Sequence, residues 1–381
     1  MSLHKLYVEA SPIAEPNISG IGHMTLELIR ALERHPDCGQ KFEIVLVVAF
    51  NKKHLLDRWD FKRVKVKTIP VHMRLFNILW KFDLLPPMDL LLGKGTYLFP
   101  NYKNWRLLRS KNLTFVCDVS YLVVPEFVSP KNQQFLEKNI TKWVRRSNKV
   151  LAISKNAQQE IIDNLDIEAA KTLLVPCGVD GSVFKAQSSQ KVKQFLSEYE
   201  LPNDYILYLG NLEPRKNISG LIDAYKSLPR SISKKYPLVL VGGGGWLNEP
   251  ILEKITAAQA DDYNIIRPEK YIPDDLLPEL YGGAKMLVHP AFYEGFGISP
   301  LQAMACGVPV IAANNSSIPE VVGDAAILVP AEDTKAISVK IEELLSSTPL
   351  QKKLVARGLE QSKKYSWDSS AKVILTELGI G

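Results

Sequence analysis

Short apolar runs rich in Val, Ile and Leu alternate with amphipathic segments along the whole chain, and few folds accommodate that pattern. The runs are KLYVEA, FEIVLVVAF, VKVKTIP, LTFVCDV and KVLAIS in the first half, and YILYLGN, PLVLVGGG, MLVHPAF, VPVIAAN and AAILVPA in the second. Hydrophobicity is nearly continuous within each run, as expected of strands covered on both faces. Between them, Gly22–His35, Asn156–Asn164, Asn217–Leu228, Pro278–Ala284 and Thr334–Ser346 have the spacing of helices with one apolar face. Such alternation predicts parallel sheets joined by right-handed crossovers. Two successive series predict an α/β protein of two doubly wound domains, for which 381 residues suffice. The break is expected near Gly178-Val179-Asp180, after the strand LLVP and before the polar stretch Lys185–Lys193, giving domains 1–183 and 184–366. Ligands of such sheets bind beyond the carboxyl ends of the strands, here in an expected cleft between the two domains. The segment His72–Leu92 is apolar but interrupted by charges and by Pro86-Pro87, and reads as a buried connection plus a strand.

Composition narrows the classes further. With 46% hydrophobic and 23% charged residues, the chain is neither disordered nor fibrous. It has no apolar run long enough for a membrane span, and its start, MSLHKLYVEASP, lacks the pattern of a secretory leader, so a cytoplasmic protein is expected. Four cysteines without metal-knuckle spacing predict reduced thiols and no metal site. The net charge of +6 is uneven: 26 Lys and Arg face 18 Asp and Glu through Val183, against 21 and 23 beyond it. Clusters such as Lys52-Lys53, Lys62-Arg63 and Arg145-Arg146 are either a solvated basic surface or an attraction for phosphate-rich partners. No nucleic-acid module is evident. An acceptor held at the inner face of an anionic membrane, with peripheral contact through the basic first domain, fits better.

Three turns could hold an anion, and a fourth is rich in glycine. In HPAFYEGFGISPLQAMACGVPV a strand ends at His289-Pro290, a loop carries Glu294, Gly295, Phe296 and Gly297, and a helix opens near Ile298 and Ser299 with Pro300 in its first turn. Amides of Gly297 to Leu301 are expected to point at phosphate oxygens, with Gln302 about one turn into the helix. Ser19-Gly20-Ile21-Gly22 follows the first strand and offers amides to an anion or a sugar hydroxyl, although such turns are common without function. In GNLEPRKN, Arg215 and Lys216 are adjacent cations at the mouth of a parallel sheet, which suits a diphosphate or a solvated turn. Gly242 to Gly245 form a flexible turn that does not follow dinucleotide GxGxxG spacing.

The order SGIG, LAISK, VPCGVD, GNLEPRKN, VGGGG, HPAFYEGFGISPLQAMACGVPVIA and YSW resembles glycosyltransferase family 4 over nearly the whole chain. The resemblance implies the GT-B architecture, a nucleotide-diphosphate sugar (GDP- or UDP-) as donor and retention of anomeric configuration; no DxD motif occurs in the chain, so no obligatory metal or other cofactor is expected. It is nearest in kind to bacterial mannosyltransferases of surface-polysaccharide synthesis, with a saccharide or lipid-linked acceptor. It also implies that 367–381 returns to complete the first domain and that the domains close on substrate. Glu294 matches the first of two family glutamates, the one that contacts the donor sugar. The second, which holds the ribose, falls on Gln302, where an amide replaces a charged acceptor. Lys216 matches the family's diphosphate lysine, Asn211 occupies the place of its arginine, and Arg215 is a substitute. Cys117-Asp118 stand where the family often has His-Asp. Asp118 would orient the acceptor hydroxyl or take its proton, or else cap a turn with Ser120. Main chain around Ile272 would read the base. The implied chemistry is front-face transfer, with Arg215, Lys216 and the loop amides stabilising the departing diphosphate. Cys117, Asn211 and Gln302 leave open a catalytically degenerate protein that binds a sugar nucleotide or a partner. The EGFG–helix segment speaks against a third class, a sugar-nucleotide epimerase.

Overall fold

The computed structural model describes residues 3–380. Met1, Ser2 and Gly381, which the expected domain limits include, lie outside the described residues. By contact, the chain divides into two units. The first takes in residues up to Val123, Pro130–Gly178 and Trp367 onward; the second takes in Val124–Ser129 and Val179–Ser366.

The sheet of the first unit has seven strands: β1 (His4–Glu9), β2 (Phe42–Ala49), β3 (Val64–Ile69), β4 (Thr96–Phe99), β5 (Lys111–Phe115), β6 (Lys149–Ala152) and β7 (Thr172–Leu174). They lie in the order β3-β2-β1-β4-β5-β6-β7, and every pair is parallel. The second unit has six: β8 (Tyr205–Leu209), β9 (Leu238–Val241), β10 (Ile265–Ile266), β11 (Ala284–His289), β12 (Val310–Ala313) and β13 (Ile327–Val329). Their order is β10-β9-β8-β11-β12-β13, again all parallel. In both sheets the order reverses beside the first strand, which opens a crevice between the loops leaving the two central strands.

Coverage on both faces explains the continuous apolar runs. Along β8, Ile206 and Tyr208 enter one core with Leu221, Tyr225 and Ile341, while Tyr205 and Leu207 enter another with Leu280, Met304 and Ile318. Helices supply both layers, so every strand position meets apolar surface. At about 25 cal/mol per Å² of apolar area buried, these two layers dominate the stability of the unit. The last helix, Trp367–Glu377, belongs to the first unit, where it packs on the helix Gly20–Arg34. Arg34 reaches Asp368 at 2.8 Å, and the Ser370 hydroxyl donates to the Pro176 carbonyl at 2.5 Å.

One reading of the sequence is corrected, and one strand was missed. The segment His72–Leu92 holds no strand. It forms the helices Met73–Lys81 and Met88–Leu92, and the strand follows as β4. The two-residue β10 shows no recognisable run in the sequence.

The glycines after β9 serve packing. A Cβ on Gly242 would lie 2.0 Å from the Gly210 carbonyl oxygen, and its φ of +148° is one that L side chains rarely adopt. The turns after β8 and β9 thus meet backbone to backbone, tied by Leu212 N–H to Gly243 O and Gly245 N–H to Leu212 O, each at 2.9 Å. Gly242→Ala should therefore cost more than about 2 kcal/mol, whereas Gly243→Ala, whose Cβ meets only ordinary contact at 3.8 Å, should cost less than about 1 kcal/mol. Denaturant melts of both variants check this; equal losses would refute the packing account.

Candidate functional site

The reversal in the second sheet lies between β8 and β11, and the loops leaving these two strands carry Arg215, Lys216 and Glu294. Glu294 is buried, 7% exposed. Its Oε1 accepts a hydrogen bond from Lys216 Nζ and lies 2.7 Å from His289 Nε2, while its Oε2 is 3.7 Å from Arg215 Nη1. Burial alone would raise this carboxyl. Lys216, His289 and Arg215 together overcome it and hold the group well below the usual carboxylate range. Glu294 is therefore a buried anion among cations, an arrangement worth keeping only while every partner is present.

Main-chain bonds fix the loop. Glu294 N–H donates to Ser316 Oγ at 3.0 Å, and Ser317 Oγ donates to the Glu294 carbonyl at 2.8 Å. Asn217 Nδ2 donates to Pro290 O at 3.1 Å and to Ala331 O at 2.5 Å, and Phe292 N–H donates to Arg215 O at 2.8 Å. Arg215 is aimed inward by bonds from its guanidinium to Tyr293 O (2.8 Å) and Glu213 Oε1 (2.9 Å). The sequence therefore predicted three members of the cluster and missed His289, Asn217, Ser316 and Ser317. His289 ends β11 and lies flat beside Tyr208, with ring planes 8° apart. Its HP context was the available signal.

Gly297 caps the helix Ile298–Ala305 at φ +101°, and a Cβ there would meet Ile318 Cδ1 at 2.6 Å. No side chain caps this helix, so the amides at its start are available to a ligand. They are fewer than expected. Pro300 has no N–H, and Leu301 N–H turns back to Gly297 O at 3.4 Å, which leaves Ile298 and Ser299 as the principal donors. Gly295 and Phe296 are buried, with Phe296 edge-on to Tyr365 at 5.6 Å. Gln302 is half-buried, and its Oε1 shares the Tyr281 hydroxyl with Ser299 O, at 3.1 and 3.2 Å. Asn211 is exposed, and its carbonyl accepts from Tyr208. The Ile272 side chain is buried in the core, which leaves only main chain to meet a base.

The remaining residues lie in the first unit. Gly20 and Gly22 form the first turn of the helix Gly20–Arg34. A Cβ on Gly22 would come within 2.6 Å of Pro12 O, so that glycine has a packing role. Asp118 follows β5 and accepts the Ser120 N–H at 3.0 Å, the turn-capping alternative. Burial, aided by Cys177 and Asp118, pushes the Cys117 thiol well above its ordinary value, so it stays protonated and is a weak donor. Among the described residues, no three His, Cys, Asp or Glu side chains gather as a metal site requires, and no helix is long and apolar enough to cross a membrane.

Two nucleotide-fold sheets, the second with Arg215, Lys216 and an uncapped helix start at its reversal, define the GT-B class of glycosyltransferase. Solved structures agree at low identity. A WaaG glycosyltransferase involved in lipopolysaccharide biosynthesis superposes with a TM-score of 0.72 at 13% identity, covering 99% of this chain and 100% of that one. Anabaena Alr3699/HepE, solved in complex with UDP-glucose, gives 0.74 at 16%, covering 98% and 99%. Residues 189–361 match the family model Glycosyl transferases group 1. The O-antigen chain mannosyltransferase B of Escherichia coli is 32% identical over 96% of this chain and 97% of its own. The chain belongs to the group 1 glycosyltransferases, glycosyltransferase family 4, and is a hexosyltransferase.

The charge cluster has a pH signature. Because the folded carboxyl of Glu294 lies below its ordinary 4.5, its contribution to stability is complete above that value and is lost as pH falls through the folded one. Glu294→Gln should therefore differ most from the parent near neutrality, and the gap should narrow as pH drops below about 4.5. Chemical denaturation across that range checks it; a gap independent of pH would mean the charge is not what the cluster holds.

Proposed function

We propose that this protein moves mannose, with retention, from a nucleotide-diphosphate sugar to a saccharide or lipid-linked acceptor in surface-polysaccharide synthesis. The supporting observation is the ionised Glu294 held by Lys216, Arg215 and His289 beside the free helix amides, in a chain similar end to end to an O-antigen mannosyltransferase. The donor belongs to the second unit. Its diphosphate would lie along the Ile298 and Ser299 amides and draw Lys216 and Arg215 towards it. A doubly charged leaving group competes for those cations with a single carboxylate, and the charge that grows on the β-phosphate as the glycosidic bond breaks strengthens its hold. Glu294, released from part of its pairing but still bonded to His289, would accept from the sugar hydroxyls.

No carboxylate among the cluster is assigned as nucleophile. In the front-face route the C1–O bond to phosphate breaks ahead of attack, a short-lived oxocarbenium ion forms, and the acceptor hydroxyl adds from the same face. Its proton passes to the departing phosphate oxygen. The acceptor belongs to the first unit, where Asp118 would orient the hydroxyl beside the neutral thiol of Cys117. GDP and UDP are both compatible with a base read by main chain near Ile272, and the mannosyltransferase relative favours mannose as the sugar.

A second reading, a protein that binds a sugar nucleotide without turnover, draws on Asn211, whose exposed side chain offers no charge where the family has arginine. A panel of GDP- and UDP-sugars separates the two. Release of nucleoside diphosphate from one donor supports the enzyme, and tight binding with no release or transfer supports the other reading.

Lys216→Ala and Glu294→Ala should each lower turnover at least about 10-fold, near 1.4 kcal/mol of transition-state stabilisation, in samples shown by thermal melts to be folded. Unchanged rates in both would remove the site. Gln302→Glu keeps the acceptor for Tyr281 and restores a charged partner for ribose hydroxyls, so donor affinity measured by calorimetry should tighten. Weaker binding would mean that the pocket is built around the amide.

A further inference from the structure

Nine of the fifteen large apolar side chains left exposed among the described residues lie between Phe50 and Leu108, a stretch of 59 residues in 381. The helix Met73–Lys81 has two apolar stripes. One faces inward: Phe76 meets the Trp105 ring edge-on at 5.6 Å, and Trp80 stacks on Trp143 at 4.9 Å. The other faces solvent. Leu75, Ile78 and Phe82 follow at helical spacing, and each is more than half exposed. The inward stripe already anchors the helix, so the outward one has no packing role.

The next helix also leaves apolar side chains outside. Leu90 and Leu91 of Met88–Leu92 are more than half exposed, as is Leu108. The Leu108 amide donates to Asp89 at 2.9 Å, and Met88 N–H donates to Arg106 O at 2.9 Å, while Trp80 Nε1 donates to Asn104 O at 3.1 Å. The segment Asn104–Leu108 therefore joins both helices.

The same stretch is rich in cations. Residues 72–111 contain seven Lys and Arg against Asp83 and Asp89 alone. Both carboxylates are engaged internally. Asp83 pairs with Lys142 at 2.5 Å and Arg146 at 3.0 Å, and Asp89 accepts the Leu108 and Arg109 amides. Arg74, Lys81, Lys94 and Arg106 are exposed on the same stretch as the leucines. Exposed apolar area within a basic rim is what an anionic lipid surface complements, with side chains entering the headgroup boundary and cations meeting lipid phosphates. A second copy of this chain would instead bring like charges together.

We infer that the face formed by the helices Met73–Lys81 and Met88–Leu92 docks the protein on an anionic bilayer. This deepens the reading above, on which it rests for a lipid-borne acceptor, and it is tested separately from catalysis. The full chain is floated with vesicles of phosphatidylethanolamine and phosphatidylglycerol, and with phosphatidylcholine alone. Binding is expected on the anionic vesicles, weakening with salt. Ile78→Ser combined with Phe82→Ser should lower the vesicle partition by at least about 10-fold, and Arg74→Gln, Lys81→Gln and Arg106→Gln by about fivefold each. All alter exposed positions, so release of nucleoside diphosphate from the donor in vesicle-free solution should be unchanged. No flotation, equal flotation on phosphatidylcholine, or a dimer in light scattering that Ile78→Ser dissolves would each overturn the proposal. Loss of donor turnover in solution by the parent would instead count against the functional reading and leave vesicle binding standing.

Discussion

A carboxylate without water is unstable unless its surroundings supply what water did, and the second unit is arranged around that demand. Glu294 takes hydrogen bonds from Lys216 and His289 and the field of Arg215, and each of these depends on something further back. Lys216 and Arg215 are presented by a turn braced against the glycines after β9. His289 is fixed as the last residue of a central strand. The loop around Glu294 is pinned by Asn217, Ser316 and Ser317, which come from two other connections of the sheet. Removing Lys216 would leave the Glu294 charge buried without its main partner, at a cost of about 3–5 kcal/mol. On the function proposed here, structural need and chemical use would coincide: cations stationed to satisfy a carboxylate are those a diphosphate would draw upon.

Much of the fold was legible because strands covered on both faces leave a plain trace. Tyr205, Ile206, Leu207 and Tyr208 are all buried, so the run YILYLGN has no polar interruption. The trace failed where tertiary context overrides local pattern. β10 has only two residues and pairs only with β9, too short a run to stand out. His72–Leu92 was misread because its apolar content exceeds what one buried face requires. A sequence cannot distinguish an apolar residue that packs from one that is left outside.

The site was legible by halves. EGFG and PRK announce themselves through glycine, proline and adjacent charge, and their meeting follows from strand order, since β8 and β11 are neighbours although about 80 residues apart. His289 and the serines gave no comparable signal. A histidine at a strand end and a Ser-Ser pair in a loop are ordinary until a carboxylate is found between them. Amide count was likewise over-read, because the proline that suits the first helical turn also removes a donor from it.

The first unit is assembled from pieces at both extremes of the chain, because the helix Trp367–Glu377 packs on Gly20–Arg34. During synthesis the second unit is wholly outside the ribosome before that helix emerges. The body that begins first is thus the one that finishes last. Until then the part of Gly20–Arg34 on which it packs waits uncovered, transiently exposed surface of the kind chaperones guard.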